Sequence, residues 1–534
     1  MAAEPGSTRP AAAARRPARP RPGPAHAPPP PTPAADLARQ AVETPSATAL
    51  VRDGGRLTYR QLEARAAGLA VHLRARAATG PAATGRRSQA VPVTATLCAT
   101  PGPDAVAALF ALWKAGYAAV PLHQRLTPSE IDHARQTVNA SLHIDNQSLH
   151  ELLRDSGGAP REDQAEVARP GRHPSAHPDV IAYILTSGST GPPRAFGFTR
   201  DTFAASSTAV TSRLGLGPGD RWGLCLSPGH IGGLSLIVRS VMTGASVRLW
   251  PTFDALAVTR AILSGEVTHL AIVPTMLRRI LARLRDRPVP ETLRCVLVGG
   301  AAAPRALLDR AWAAGLPIAT TWGMTETASQ VATAPPALAR RHPGTSGPPL
   351  PGIEVRPGPG GTLQVRGPTL ASAMIPGPGA TPRPLPTGPH GWFTTRDLGR
   401  IDPDGLIWIE GRAGAIIVSG GLNVSPGDVE RVIEALPGIR EAVVLGLPDE
   451  EWGEVVAAVV EADPAAVTPA GVDRHCREHL VRGRCPTRIV VVDELPRTWT
   501  GKVLRPKVKE RLAPEPAPAP HRRPGSSTNP METT

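Results

Sequence analysis

Apolar and polar positions alternate along most of the chain in segments typical of helices and strands. LTYRQLEARAAGLAVHLRARA has the spacing of an amphipathic helix, VPVTATLCAT that of a strand, and DAVAALFALWKAGYAAVPL that of a helix leading into a strand. The same order recurs through VTHLAIVP, MLRRILARL, LRCVLVGG and RALLDRAWAAG. Because strands separated by helices form parallel sheets covered on both faces, the pattern predicts an α/β domain with largely parallel sheets.

The pattern changes near residue 390. A DPDG turn between the strand-like runs of HGWFTTRDLGRIDPDGLIWIEGR predicts a hairpin. Ser425 and Pro426 then open a helix, PGDVERVIEAL, which we expect to end near Gly438. The short strands AVVLGL, VVAAVV and RIVVVDEL surround a second helix near residues 472–481. We therefore expect a small, mobile α+β domain at the C-terminal end of the fold.

These patterns divide the chain into four parts. Residues 1–35 and 513–534 are rich in Pro, Ala and Arg and poor in large apolar side chains, so we expect a disordered leader and a disordered tail. Residues 36–411 form the predicted large domain and residues 412–512 the small one. No apolar run reaches the roughly 18 residues that a membrane span requires.

The composition argues against two other kinds of protein. The 534 residues include 59 Lys and Arg against 45 Asp and Glu, a formal charge of +14, which would suit a nucleic-acid binder. Only four of the basic residues are lysines, however, and with 62 Pro and 53 Gly this indicates a coding bias toward G and C. Aromatic residues make up only 3% of the chain, so stacking platforms for bases are scarce and we expect no nucleic-acid partner.

The five cysteines are scattered and match neither a disulfide framework nor a zinc-binding pattern. We therefore expect a reducing, cytoplasmic protein without a structural metal.

The segment with the clearest chemistry is DVIAYILTSGSTGPPRAF. A buried-strand run ends in a loop of hydroxyl and glycine residues, followed closely by Arg194; the loop consists of Thr186, Ser187, Gly188, Ser189, Thr190 and Gly191. Glycines let backbone N–H groups turn toward an anion, and hydroxyls add donors for phosphate oxygens. The spacing differs from that of a P-loop.

Three further sets of residues follow in the chain. TTWGMTETASQ places hydroxyls and the carboxylate of Glu326 beside Trp322, a set that can hold a phosphate and a Mg²⁺ ion. Asp397 and Arg412 bracket the predicted hairpin. LPRTWTGKVLR places Lys502, one of only four lysines, in a glycine-containing loop after a strand.

Together, in this order, the four sets resemble the adenylate-forming superfamily of acyl- and aryl-CoA ligases. The family's TSGSTGxPKG loop is matched by residues 186–195 and its YGxTE motif by residues 322–326. Its GDLG…DGxLxxxGR pattern is matched by residues 396–412, and its PRTxTGK motif by residues 496–502. The resemblance covers roughly residues 36–512.

The resemblance implies an ATP- and CoA-dependent reaction in two steps, adenylation of a carboxylate followed by transfer to the CoA thiol. It implies that the 186–191 loop and Arg194 bind pyrophosphate, that Glu326 holds Mg²⁺, and that Lys502 bridges the α-phosphate and the carboxylate. Lys502, Thr186 and Glu326 are thus the expected catalytic residues. The other ATP-binding residues implied are Gly300, Ala301, Ala302, Trp322, Gly323, Met324, Thr325, Asp397 and Arg412, and Ser419, Gly420 and Gly421 would line the path of CoA.

Some positions depart from the family pattern. Arg194 stands where a lysine is usual, which keeps the charge but changes its geometry. Gly414 and Ala415 replace the aspartates usual at the hinge between the two domains, and Leu422 replaces a polar residue. These changes affect phosphate handling and domain rotation and remove no reacting group.

The segment SPGHIGGLSLIVRSVMTG carries the evidence on the substrate. As a helix it has one apolar stripe, and Gly232, Ser235 and Arg239 lie together on the other face, either as a pocket wall with a fixed cation or as a solvated surface. With His230, this segment and WGMTETASQVAT resemble o-succinylbenzoate–CoA ligases of menaquinone biosynthesis. That resemblance implies that His230, Gly232, Ser235 and Arg239 recognise a substrate with a second carboxylate.

Three alternatives remain open on the sequence. One is another aryl- or fatty-acyl-CoA ligase, and a second is a nucleotide-binding pseudoenzyme, suggested by Arg194, Gly414 and Ala415. The third, a basic nucleic-acid binder, rests on the charge alone.

Overall fold

The computed structural model describes residues 33–79, 93–155, 179–186, 193–414, 417–419, 422–449, 452–498 and 501–512. The α-helices in this part of the chain are α1 Pro33–Glu43, α2 Tyr59–Thr79, α3 Pro103–Lys114, α4 Pro128–Thr137, α5 Asn146–Asp155, α6 Arg200–Leu214, α7 Ile231–Thr243, α8 Ala255–Leu263, α9 Pro274–Leu284, α10 Arg305–Ala313, α11 Pro336–Arg341, α12 Pro426–Glu434, α13 Pro469–His479 and α14 Arg505–Arg511. Short 3₁₀ turns cover Thr325–Thr327, Pro359–Gly361, Pro389–Gly391 and Arg482–Arg484.

The strands are β1 Thr48–Arg52, β2 Gly55–Thr58, β3 Thr94–Cys98, β4 Ala118–Pro121, β5 Leu142–Asp145, β6 Val180–Thr186, β7 Arg194–Thr199, β8 Arg221–Leu224, β9 Ser246–Leu249, β10 His269–Ile272, β11 Cys295–Val298, β12 Ile318–Met324, β13 Ser329–Ala334, β14 Glu354–Pro357, β15 Thr362–Arg366, β16 Ala373–Ile375, β17 Arg383–Pro384, β18 Phe393–Ile401, β19 Ile407–Arg412, β20 Ile417–Ser419, β21 Leu422–Val424, β22 Ile439–Asp449, β23 Gly453–Ala462 and β24 Arg488–Val492.

Two large sheets form the centre of the N-terminal domain. One has the strand order β13-β12-β11-β10-β8-β9-β1-β2 and the other β17-β16-β7-β6-β4-β3-β5. In the first sheet the inner strands pair in parallel, and only the edge pairs β12–β13 and β1–β2 are antiparallel. In the second sheet β5, β3, β4 and β6 pair in parallel, whereas the pairs β6–β7, β7–β16 and β16–β17 are antiparallel. The predicted α/β class with largely parallel sheets is confirmed.

The main hydrophobic core joins the two sheets. It contains Leu97 of β3, Leu224 of β8, and the fully buried Phe110 and Ile237 of helices α3 and α7. Helix α7 is buried on nearly all sides, since Leu234, Ser235 and Arg239 are each 3% exposed or less. Apolar side chains such as Leu234 and Ile237 each contribute about 2 kcal/mol on burial, so α7 is fixed firmly between the sheets.

A third sheet of this domain, with the order β14-β15-β18-β19, is entirely antiparallel. The β18–β19 hairpin was expected from the DPDG turn, and in it Gly405 N–H donates to the Asp402 carbonyl at 2.9 Å. The pairing of β18 with the more distant β15 was not expected, because cross-sheet partners leave no local signal in a single sequence.

The C-terminal domain contains the sheet β21-β20-β23-β22, with β24 added in parallel to β23. Alternate residues of β22 and β23 face two small cores, one beneath α12 and α13 and the other beneath α14. This is the predicted α+β arrangement. Helix α12 ends at Glu434, and Gly438, with a φ of 92°, lies in the turn that follows.

The structure can be compared with the predicted leader and tail of the chain. Helix α1 begins at Pro33, inside the segment 1–35 predicted as a leader, and its Leu37 is fully buried. The expected tail, residues 513–534, lies outside the described residues. Among the residues described, none of the helices combines the length and apolar character needed to cross a bilayer.

Candidate active site

A cleft of about 3130 Å³ lies between the two domains. The loops that follow β8, β10, β11 and β12 line it on one side, and residues 494–498 and 501–505 of the small domain line it on the other. The carboxyl ends of parallel strands are the usual place for ligand sites in open α/β sheets. The predicted residues described below all line this cleft except where stated.

Thr186 and Arg194 stand at the two ends of the predicted phosphate loop. They are directly paired in register across β6 and β7, and the Thr186 hydroxyl lies 3.4 Å from the Arg194 carbonyl. The predicted residues Ser187, Gly188, Ser189, Thr190 and Gly191 lie outside the described residues. The sheet therefore fixes where the loop begins and ends, beside the ends of the other strands.

Seven of the predicted ATP-binding residues come together at the ends of β11 and β12. Gly300, Ala301 and Ala302 follow β11 and line the cleft, as do Trp322, Gly323, Met324 and Thr325 at the end of β12. Gly323 allows the backbone of β13 to approach closely, because a Cβ atom there would overlap the Ser329 carbonyl. These residues, including the aromatic Trp322, line the same part of the cleft.

Glu326 lies in a 3₁₀ turn directly after β12, between that strand and β13. The turn ends at Ala328, whose φ of 51° is unusual for a residue with a side chain. Two buried hydroxyls hold this conformation, since Ser206 and Ser235 donate to the Ala328 carbonyl at 2.9 and 3.2 Å. The position of Glu326 is thus set by packing against α6 and α7.

This contact changes the role predicted for Ser235. Its hydroxyl donates to a backbone carbonyl and its side chain does not line the cleft, so the structure places it in support of the Glu326 turn. Helical periodicity puts Ser235 on the same face as Arg239, but it cannot show that a strand turn packs against that hydroxyl.

The electrostatics around Glu326 suit a cation. Burial raises the pKa of its carboxyl, with Asp397 adding to the effect, while Arg412 and Arg194 oppose it. A cation bound there would favour the ionised form. One carboxylate facing a site for phosphate oxygens is the ligand set that Mg²⁺ prefers in nucleotide sites.

Asp397 and Arg412 are held together by the β18–β19 hairpin. They are directly paired in register, and Arg412 Nε donates to Asp397 Oδ1 at 2.7 Å. The indole Nε1–H of Trp322 donates to the other carboxylate oxygen at 2.8 Å. Sequence analysis placed these three residues at one site, and the contacts confirm that they meet.

Lys502 enters the cleft from the small domain on a tight loop. Thr498 N–H donates to the Lys502 carbonyl at 2.7 Å, and Lys502 N–H donates to the Thr498 hydroxyl at 3.1 Å. Partial burial lowers the pKa of the ammonium group, as do Arg412 and Arg505, while Asp397 opposes them. Lys502 therefore lies close enough to the Asp397–Arg412 pair to feel both charges.

Helix α7 presents Arg239 to the cleft. Its side chain is 3% exposed, its Nε has no hydrogen-bond partner, and no ion pair involves it within the described part of the chain. Burial lowers the pKa of this guanidinium to about 10, so it remains charged at neutral pH. A charge buried in this way is costly without an anionic partner. Gly232, one turn earlier on α7, also lines the cleft.

Two histidines lie beside this helix. His230 precedes α7, and burial, with a contribution from Lys502, lowers its pKa to about 4. His123 was not singled out from the sequence, and its ring centroid lies 6.4 Å from that of His230. Burial, followed by interactions with His230 and Arg125, lowers the pKa of His123 to about 3. Both rings are neutral at pH 7. The sequence feature that could have pointed to His123 is its position directly after a predicted strand.

Of the three residues predicted along the CoA path, only Ser419 is described. It is a buried residue at the end of β20, away from the cleft-lining set. Gly420 and Gly421 lie outside the described residues, so this part of the site stays a prediction.

Comparison with known families identifies the chain. The AMP-binding enzyme model matches residues 37–372, and the AMP-binding enzyme C-terminal domain model matches residues 428–502. The chain belongs to the AMP-binding enzyme family. Both matched segments contribute to the cleft, the first through Glu326 and the second through Lys502.

Two named proteins are similar in sequence to this chain over much of its length. A 2-succinylbenzoate–CoA ligase from a Geobacillus species is 38% identical over 344 residues, covering 62% of this chain and 69% of the relative. A ligase of the same name from Bacillus cereus is 30% identical over 489 residues, covering 89% and 97%.

Solved structures of AMP-binding enzymes show the same fold. O-succinylbenzoate CoA synthetase from Bacillus subtilis, in complex with its acyl-adenylate intermediate, has a TM-score of 0.76 at 28% identity, covering 89% of this chain and 97% of that one. ATP-bound MatB from Rhodopseudomonas palustris has a TM-score of 0.74 at 26% identity, with coverage of 90% and 98%.

Proposed function

We propose that this AMP-binding enzyme is a 2-succinylbenzoate–CoA ligase. It adenylates one carboxylate of the substrate with ATP, releases pyrophosphate, and passes the acyl group to CoA with release of AMP. The relatives of that name and the Bacillus subtilis structure with a bound acyl-adenylate support this reaction. The pathway implied is menaquinone biosynthesis.

The observation that carries the substrate assignment is Arg239. It is a buried, charged guanidinium facing the cleft, and the described residues offer it no carboxylate. 2-Succinylbenzoate has two carboxylates, of which only one reacts. The second is an anion of the right chemistry to pair with Arg239, through two parallel charge-assisted hydrogen bonds. A substrate with a single carboxylate would leave this buried charge without a partner.

The residues on the opposite side of the cleft bind ATP in this proposal. The adenine ring lies against Trp322 and residues 300–302, and Asp397 binds the ribose hydroxyls. The Trp322–Asp397–Arg412 contacts fix the carboxylate before ATP arrives, so little ordering is needed on binding. Thr186 and Arg194 hold the end of the phosphate loop.

Glu326 is the residue that would hold a magnesium ion bound with ATP; the Bacillus subtilis enzyme has been solved in complex with ATP and a magnesium ion. The ion would supply charge neutralisation for the phosphates. Glu326 is prepared for this by the hydrogen bonds that Ser206 and Ser235 make to the turn after it.

Lys502 acts in the first step. Negative charge concentrates around the α-phosphorus as the carboxylate attacks, and an ammonium group placed there stabilises the transition state. For the second step the small domain rotates about residues near Gly414, which removes Lys502 and brings Ser419 and its neighbours to the CoA path. Gly414 has a φ of 82°, a conformation that suits glycine at a pivot.

The test is a substrate panel with two separate readouts. Pyrophosphate release is measured with 2-succinylbenzoate, with two analogues that each lack one of its carboxylates, and with a fatty acid; CoA thioester formation is then measured by mass. We expect the dicarboxylate to give the highest kcat/KM and a CoA thioester as product. Preference for a single-carboxylate acid would refute the substrate, and ATP binding without pyrophosphate release would indicate a pseudoenzyme.

A further inference from the structure

Helix α9 of the large domain lies against the small domain at two places. At its first turn, Gly501 packs so closely that a Cβ atom would meet the Thr275 hydroxyl. One turn further along, the Arg278 guanidinium crosses to β22, where Nη2 donates to the Arg440 carbonyl at 2.7 Å. The same helix therefore contacts both the small-domain sheet and the loop that carries Lys502.

Arg278 also belongs to a network of charges. Its Nη1 lies 3.5 Å from a carboxylate oxygen of Glu441 and 3.5 Å from one of Glu461. The same two carboxylates accept from Arg497, Glu441 at 2.9 Å and Glu461 at 2.5 Å. Two arginines from different domains thus share two glutamates.

The network continues to Lys502 through the backbone. Arg497 pairs with Val503 in an isolated antiparallel bridge, and its Nη1 lies 3.4 Å from the Gly501 carbonyl. Arg497 and Val503 form the base of this loop, and Lys502 directly precedes Val503. A shift of Arg497 would therefore shift Lys502 relative to the cleft.

The surroundings of these glutamates favour a cation from the large domain. Glu461 is only 6% exposed. Burial alone would raise the pKa of its carboxyl, but the hydrogen bond from the Leu495 amide and the charges of Arg497 and Arg278 outweigh this effect and hold the pKa below its usual value. Burial, followed by Glu430 and Glu441, raises the pKa of nearby Glu434 to about 8, and Arg278 opposes this. The small domain thus presents a cluster of carboxylates, and Arg278 brings a compensating charge.

We propose that Arg278 is a positioning residue for adenylation, holding the small domain and its Lys502 loop in the orientation required for the first step. It touches neither ATP nor substrate in this role, and acts through Glu441, Glu461 and Arg497. Rotation of the small domain for the second step breaks the Arg278 contacts and leaves the Arg497–glutamate pairs intact, because those lie within the small domain. The inference rests on the two-step reaction proposed above.

The proposal predicts that Arg278 matters for one half-reaction only. Arg278→Gln should slow adenylate formation, measured as pyrophosphate release in a single turnover without CoA, by about 10-fold, the value of one or two charge-assisted hydrogen bonds. Thioester formation from supplied acyl-adenylate and CoA should change less than about 2-fold. Arg278→Lys should recover part of the first rate, since it keeps the charge but not the fork.

Arg283→Gln is the matched control. Arg283 lies on the same helix, is exposed, is not among the residues that line the cleft, and makes no ion pair among the described residues, so both half-reactions should keep their wild-type rates. Salt gives a second readout. Raising the ionic strength should slow adenylate formation more in the wild-type enzyme than in Arg278→Gln, because the variant has already lost the screened contact.

Equal loss of both half-reactions, or no loss in either, would overturn the role of Arg278. The acid used is whichever one the wild-type enzyme adenylates, so failure with 2-succinylbenzoate would refute the proposed substrate and leave this test intact. A thermal melt of each variant identifies general destabilisation, which would slow both steps together.

Discussion

Replacing Arg239 by methionine separates substrate recognition from structural support. Methionine is uncharged, unbranched and flexible, so the variant removes the guanidinium while it replaces the aliphatic stem of Arg239. If Arg239 pairs with the second carboxylate, the loss should be about 2–4 kcal/mol in transition-state stabilisation, or roughly 30- to 1000-fold in kcat/KM for 2-succinylbenzoate. An analogue without that carboxylate should lose far less.

The same variant should not lose stability. Burial lowers the pKa of Arg239 from the usual arginine value to about 10, a difference that corresponds to about 3 kcal/mol of cost for keeping the charge at neutral pH. A cation whose pKa is lower in the folded than in the unfolded protein destabilises the folded state at every pH below that pKa, and this penalty is lost as the pH rises above it. Arg239→Met should therefore leave the free energy of unfolding unchanged or raise it by up to about 3 kcal/mol.

Steady-state kinetics with both acids and chemical denaturation of the ligand-free protein test this. Arg213→Met on α6 is the control, because Arg213 is a partly buried arginine that donates to the Thr333 and Pro349 carbonyls at 3.4 and 2.8 Å. That control should lose stability without changing the preference between the two acids. Equal loss of activity with both acids in Arg239→Met, accompanied by easier unfolding, would refute the reasoning and make Arg239 a structural residue.

Three further outcomes are expected. Lys502→Ala should slow adenylate formation by about 100- to 1000-fold and spare thioester formation from supplied adenylate, as rapid-quench assays of each step would show. Because Lys502 must be protonated and its pKa is lowered, the adenylation rate should decline as the pH rises through a value below 10.5. Lys502→Arg should move this alkaline decline of the pH–rate profile to higher pH. Deleting residues 1–32 should leave turnover and melting temperature unchanged, because this segment has few large apolar side chains and can therefore bury little apolar surface. A clear drop in either quantity would contradict this.

The fold class and the family could be predicted because their signals are local. Alternating helix and strand patterns indicated the parallel sheets, and the hairpin between Asp397 and Arg412 followed from one DPDG turn. The site residues that lie at strand ends were found for the same reason. Each belongs to a short segment whose composition differs visibly from its surroundings.

Other features depend on contacts between distant segments. Ser235 looked like part of a pocket wall because it shares a helix face with Arg239, yet its hydroxyl supports the Glu326 turn, 93 positions away. Arg278 drew no attention because it is one arginine among many, and only the packing of α9 against β22 distinguishes it. His123 was missed for the same reason, since its partner His230 is far away in the sequence.

The most direct test of the central claim is mass-spectrometric analysis of the purified protein incubated with ATP, Mg²⁺, CoA and 2-succinylbenzoate. The account predicts one equivalent each of 2-succinylbenzoyl-CoA, AMP and pyrophosphate, with much less product from acids that lack the second carboxylate. No thioester from 2-succinylbenzoate, with efficient conversion of a single-carboxylate acid under the same conditions, would contradict it.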